Sequence, residues 1–128
     1  MGDDDDRPLT WMGQTKAALR AMPPPVQRKV GFALRAAQEG KKDPSAVPLT
    51  GFGGAGVLEV RVAADGDAYR CVYTVRLAHA VYVLHAFQKK SRTGIATPPE
   101  AMATVRRQLA EAEQLDAEYT AQRGGPGR

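Results

Sequence analysis

Between Val57 and Phe87 the chain holds three runs rich in β-branched and aromatic residues, joined by links too short for a helix. Short links can only connect neighbouring antiparallel strands, so the fold must be built on a meander. The first run, Val57-Leu58-Glu59-Val60-Arg61-Val62, alternates with period two, which puts Leu58, Val60 and Val62 on one face and Glu59 and Arg61 on the other. Asp65-Gly66-Asp67 has the chemistry of a hairpin turn. Tyr69 to Leu77 and Ala80 to Phe87 contain no Pro or Gly, and Ala78-His79 can turn between them.

The last strand runs directly into Gln88-Lys89-Lys90-Ser91-Arg92, then Thr93-Gly94 and the strand-ending Pro98-Pro99. The hairpin therefore delivers a cluster of cations to one edge of the sheet. The charge balance of the chain agrees. Net charge is +4, but residues 1–6 carry four aspartates, residues 7–99 carry 14 basic and 5 acidic groups, and residues 100–128 carry 4 basic and 5 acidic. So basic a body favours a polyanionic partner, RNA or an acidic protein segment, over a merely solvated cationic surface.

At 128 residues the chain suits one domain, expected over residues 7–121, between a disordered acidic tail (residues 1–6) and a glycine-rich tail (residues 122–128). No apolar run approaches the ~20 residues of a membrane span and no signal segment opens the chain, so a cytoplasmic protein with no membrane partner is expected. The single cysteine, Cys71, excludes an internal disulfide and a Cys-based zinc site, and its place in a strand suits a buried apolar role.

Around the meander, Leu9-Thr10-Trp11-Met12 reads as a short strand and Thr15 to Met22 as a helix ended by Pro23-Pro24-Pro25. A second helix opens at Pro25. Val26, Val30, Ala33, Leu34 and Ala37 form its apolar stripe, Arg28, Lys29, Arg35 and Gln38 lie mostly off it, and Gly40 caps its end. Lys41 to Gly56 reads as a loop. It contains a G-x-G-x-x-G match at Gly51, Gly53 and Gly56, but a strand follows it rather than a helix N-terminus, so the glycines serve a tight turn rather than a dinucleotide. Met102, Val105, Leu109 and Ala112 give the stripe of a last helix, with Glu100 in its first turn and an end near Ala121.

This order of elements, together with Tyr69-Arg70-Cys71-Val72-Tyr73 and Leu84-His85-Ala86-Phe87-Gln88-Lys89-Lys90-Ser91, resembles the RelE/ParE toxin superfamily of type II toxin–antitoxin modules, and within it the phage-derived HigB-like branch. The resemblance covers about Arg7 to Ala112. It implies an α+β, RelE-like fold: a small antiparallel sheet, made of a short N-terminal strand plus a three-stranded meander, packed by an N-terminal helical hairpin and a C-terminal helix. It also implies a ribosome-associated endoribonuclease that cuts mRNA in the A site, and an antitoxin partner, commonly a helix-turn-helix DNA-binding protein. The alternatives on the same fold are a ParE-like toxin that inhibits DNA gyrase without catalysis and an inactive binding module.

Such cleavage proceeds by attack of the 2′-OH on the adjacent phosphate and needs no metal or cofactor. It requires a base for the 2′-OH, cations for the extra charge on phosphorus, and an acid for the leaving 5′-oxygen. The family's strand arginine falls on Arg70, whose guanidinium can grip phosphate bidentately. Its second cation falls on Lys90 if the hairpin has no gap and on Lys89 with a one-residue slip. Arg61 matches a basic position, while Glu59 stands where a close relative has lysine, which makes Glu59 a candidate base. Arg92 to Pro99 contains no aromatic, where some relatives place a tyrosine. Arg61, Arg76 and Arg92 are the expected RNA contacts. His85 suits general acid–base work or a hydrogen-bonded core position, His79 suits the turn, and Arg70 has Asp67 and Glu59 as potential ion-pair partners.

Overall fold

The computed structural model describes residues 6–53, 56–89 and 96–123. Along the chain run β1 (Leu9–Trp11), α1 (Thr15–Arg20), α2 (Pro24–Gln38), β2 (Ala46–Pro48), β3 (Val57–Ala64), β4 (Asp67–Thr74), β5 (Val81–Lys89) and α3 (Pro99–Arg123). The sheet order is β1-β5-β4-β3-β2, and the architecture is α+β.

The meander stands as its short links require, with β3, β4 and β5 antiparallel neighbours. The sheet departs from the sequence reading in three places. β1 joins the far side of β5 in parallel, so the sheet is mixed rather than wholly antiparallel. Residues 46–48, within the stretch read as loop, form β2 on the opposite edge, pairing Val47 with Glu59. A three-residue edge strand ending in proline carries little periodicity, and the direction of β1 is fixed by a partner far along the chain. The β4–β5 connection is also longer than Ala78-His79, because β4 ends at Thr74.

The sheet separates two apolar layers. On one face Leu58, Val60 and Val62 pack with Cys71, Tyr73, Val81 and Val83 against Leu19 of α1 and the stripe Val26, Val30, Ala33, Leu34 and Ala37 of α2. On the other, Val57, Val72, Tyr82 and Leu84 meet Val105, Leu109 and Ala112 of α3. Each buried Val or Leu side chain contributes about 1.5–3 kcal/mol of transfer free energy, so these stripes hold the helices to the sheet. Cys71 is fully buried, and burial pushes its thiol up to about 12. α2 begins at Pro24, one residue before the expected Pro25, and ends in a Schellman cap: Lys41 N–H donates to Ala36 C=O (2.8 Å) and Gly40 N–H to Ala37 C=O (3.0 Å), with Gly40 at φ 82°. Gly51, Gly53 and Gly56 all have positive φ, as the turn into β3 demands; at Gly56 (φ 118°) a Cβ would also stand 2.9 Å from Arg76 Cβ.

One irregularity decides which side chains reach the α3 face. Val72 pairs with His85, yet Tyr73 pairs with Val83, so β5 carries one extra residue and bulges there. Before the bulge Val81 and Val83 face α1 and α2; after it Ala86 does. The alternation is thereby reset, and His85, Phe87 and Lys89 face α3.

Candidate functional site

At the end of the sheet where β5 leaves, the α3 face carries Glu59 and Arg61 from β3, Arg70 from β4, and His85, Phe87 and Lys89 from β5. Arg61 stands directly opposite Arg70, and Arg70 opposite Phe87. Two cations facing each other across a ladder repel. Glu59 relieves this: its Oε1 accepts from Arg61 Nε at 2.9 Å, and Arg70 Nη1 lies 3.4 and 3.5 Å from its two oxygens. Its Oε2 accepts from the Thr97 hydroxyl at 2.8 Å, which brings the segment before α3 down onto the cluster. Glu59 is 0% exposed, Arg70 5%, Lys89 6% and Arg61 38%. A buried carboxylate is tolerable only when its lone pairs are occupied, and here three donors occupy them. Of the two partners considered for Arg70, Glu59 is the one it pairs with, and the pair is buried rather than a surface contact.

His85 lies beside this cluster, half-buried, in the seam between β5 and α3. Its ring stacks on Phe87 with centroids 4.6 Å apart. Burial, and secondarily the nearby Arg107 cation, hold its pKa below the ordinary histidine value. The imidazole is therefore neutral at pH 7, the form that can accept a proton. The seam opens on either side of His85, into a cleft of about 440 Å³ toward Phe87 and Thr104 and another of about 330 Å³ toward Gln14 and Arg107.

Residues 17–110, most of the chain, match the family described as phage derived protein Gp49-like (DUF891). The chain belongs to the Gp49-like family. That family is associated with RelE-like, toxin-like proteins, and the α+β fold of this Gp49-like chain is of that small RelE-like kind. No curated protein matches it.

Not every candidate of the Gp49-like chain gathers at this corner. Arg76 lies in the β4–β5 connection, six residues beyond Arg70 and so roughly 20 Å along the strand direction. Its guanidinium donates to Phe52 C=O (3.0 Å) and pairs with Glu113 (3.1 Å), fastening the glycine-rich loop to α3. His79 is a turn residue, as read, and it also reaches α3, its Nε2 2.8 Å from the Thr120 hydroxyl. Lys90 and Arg92 fall outside the described residues. Lys89, at the end of β5 beyond the bulge, stands on the Arg70 face. Among the described residues no three His, Cys, Asp or Glu side chains come together as a metal site, and no helix is long and apolar enough to cross a membrane.

Sequence reasoning missed two anchors. Thr97, just ahead of the last helix, binds Glu59 across 38 residues. Asp116 of α3, buried, accepts from the Ala78 and His79 amides (3.0 and 2.9 Å) and from the Tyr82 hydroxyl (2.9 Å). Burial alone would raise the Asp116 pKa, but these three donors outweigh it and hold the carboxyl below its usual value, while Tyr82 is pushed well up. One acidic residue among several in a helix, and one threonine ahead of it, give no signal of these contacts.

Proposed function

We propose that this Gp49-like protein is the toxin of a type II toxin–antitoxin module and that it cleaves mRNA on the ribosome by 2′-OH attack. The observation that carries this reading is the convergence of Arg61, Arg70, Lys89 and the neutral His85 at one corner of the α3 face. Arg61, the most exposed of the cations, meets the phosphate. Arg70 and Lys89 stabilise the developing charge from below, in surroundings that screen them less than water does. His85 takes the 2′-OH proton. Glu59 is not the base in this reading: a base must reach the proton it removes, and this carboxylate is buried with both oxygens engaged. It is a positioning residue that holds two guanidinium groups side by side. The antitoxin is proposed to be a helix-turn-helix protein and the site of action the cytoplasm.

A second reading has one observation in its favour. Arg70 and Lys89 are almost fully covered, as suits a toxin of the same fold that acts by contact with another protein. Induction of the chain alone, with primer extension on translated mRNA, separates the two. Growth arrest with new mRNA 5′ ends supports the nuclease, and arrest without them supports the contact reading. Arg61→Ala and Lys89→Met should each lower cleavage by about 30- to 1,000-fold, the equivalent of about 2–4 kcal/mol of transition-state stabilisation, with thermal melts confirming that both remain folded.

A further inference from the structure

The cleft of about 440 Å³ between β5 and α3 has the stacked rings of His85 and Phe87 on the strand side and Glu100, Ala101 and Thr104 on the helix side. Phe87 is the direct cross-strand neighbour of Arg70, itself the neighbour of Arg61. At about 4.8 Å between strands, the aromatic pair stands roughly 10 Å from Arg61, within the reach of one nucleotide whose phosphate meets the cations. Aromatic platforms beside a cationic track are how proteins hold unpaired bases. The helix side adds a selective group. Glu100 is exposed in the first turn of α3, and a carboxylate only accepts hydrogen bonds. Guanine alone among the four bases presents two adjacent N–H donors, N1–H and N2–H, on its Watson–Crick edge. Adenine and cytosine set one donor beside a ring acceptor that would face the carboxylate, and uracil flanks its one donor with carbonyls.

We propose that this cleft holds an unpaired guanine, its ring continuing the His85–Phe87 stack and its Watson–Crick edge bound by the Glu100 carboxylate. The proposal rests on the reading of the neighbouring cations as an RNA site and names the base that site selects.

The test is binding, independent of cleavage. Uncleavable 2′-O-methyl hexanucleotides, one guanine among uracils and the same oligomer with adenine, cytosine or uracil in its place, are titrated into the full chain. Anisotropy gives the affinities, and the ring-proton resonances of His85 and Phe87 report the stack. The guanine oligomer should bind about tenfold more tightly than the others and move both sets of resonances, and Glu100→Gln should level the four affinities. Equal affinities, no binding of any oligomer, or a guanine preference that survives Glu100→Gln overturns the cleft. Cleavage assays keep the two readings apart. Guanine-selective binding without cleavage refutes the nuclease and leaves the cleft, whereas cleavage whose sequence preference ignores Glu100→Gln refutes the cleft and leaves the nuclease.

Discussion

Glu59→Gln tests the electrostatic argument most directly. Glutamine keeps the shape of the side chain and removes its charge, so Arg61 and Arg70 would face each other across the ladder with no anion between them. Arg70 is 5% exposed and cannot recover its hydration. Removing one partner of a buried ion pair costs about 3–5 kcal/mol for that reason, whereas the half-exposed Arg61 adds only about 0–1 kcal/mol. With an unfolding entropy near 2.1 cal/mol/K per residue, each kcal/mol lowers the melting temperature of a chain this long by roughly 4 °C, so a fall of about 12–20 °C is expected. Circular dichroism melts measure it. A second variant isolates the cause: Glu59→Met with Arg70→Met removes both charges of the pair and should recover most of the loss. If Glu59→Gln melts within about 2 °C of the parent while abolishing mRNA cleavage, Glu59 is a base after all and the positioning role is wrong. If the double variant is as unstable as the sum of the single ones, the coupling is absent.

The remaining expectations concern stability. Since His85 has its folded pKa below the unfolded one, the unfolded chain binds more protons between those two values; stability should fall as pH drops below about 6.5, and His85→Gln should flatten that part of the melting-temperature profile. Asp116 has the opposite requirement of ionisation, so its contribution is present above about pH 4 and disappears as the carboxyl protonates at lower pH. Asp116→Asn would turn an amide toward the backbone donors of the β4–β5 connection, costing at least about 2 kcal/mol in urea denaturation, and a loss under about 0.5 kcal/mol would show that the carboxylate does not fasten α3. Gly56→Ala, at φ 118° and against Arg76 Cβ, should cost about 1–3 kcal/mol, and an unchanged urea midpoint would refute that strain.

Much of this molecule follows from local rules. Period-two alternation placed Leu58, Val60 and Val62 on one face and Glu59 and Arg61 on the other, because successive strand residues must point to opposite sides. Helical spacing likewise marked the buried stripes of α2 and α3, and Gly40 marked the end of α2, because φ > 0 is cheap only for glycine there. What the sequence left open depends on registers and distances between segments remote in the chain. No residue between Val81 and Lys89 announces the bulge, which forms where β5 must satisfy β4 and two packed faces at once; yet it alone puts Lys89, His85 and Phe87 on the face of Arg70. The direction of β1 is settled by its contact with β5. Alternation puts Glu59 on the face away from Leu58, Val60 and Val62, and the resemblance offers it as a base; only the arrival of Thr97, with Arg61 and Arg70 also on its oxygens, makes it a buried anchor, because burial is a property of what covers a residue and not of the residue itself.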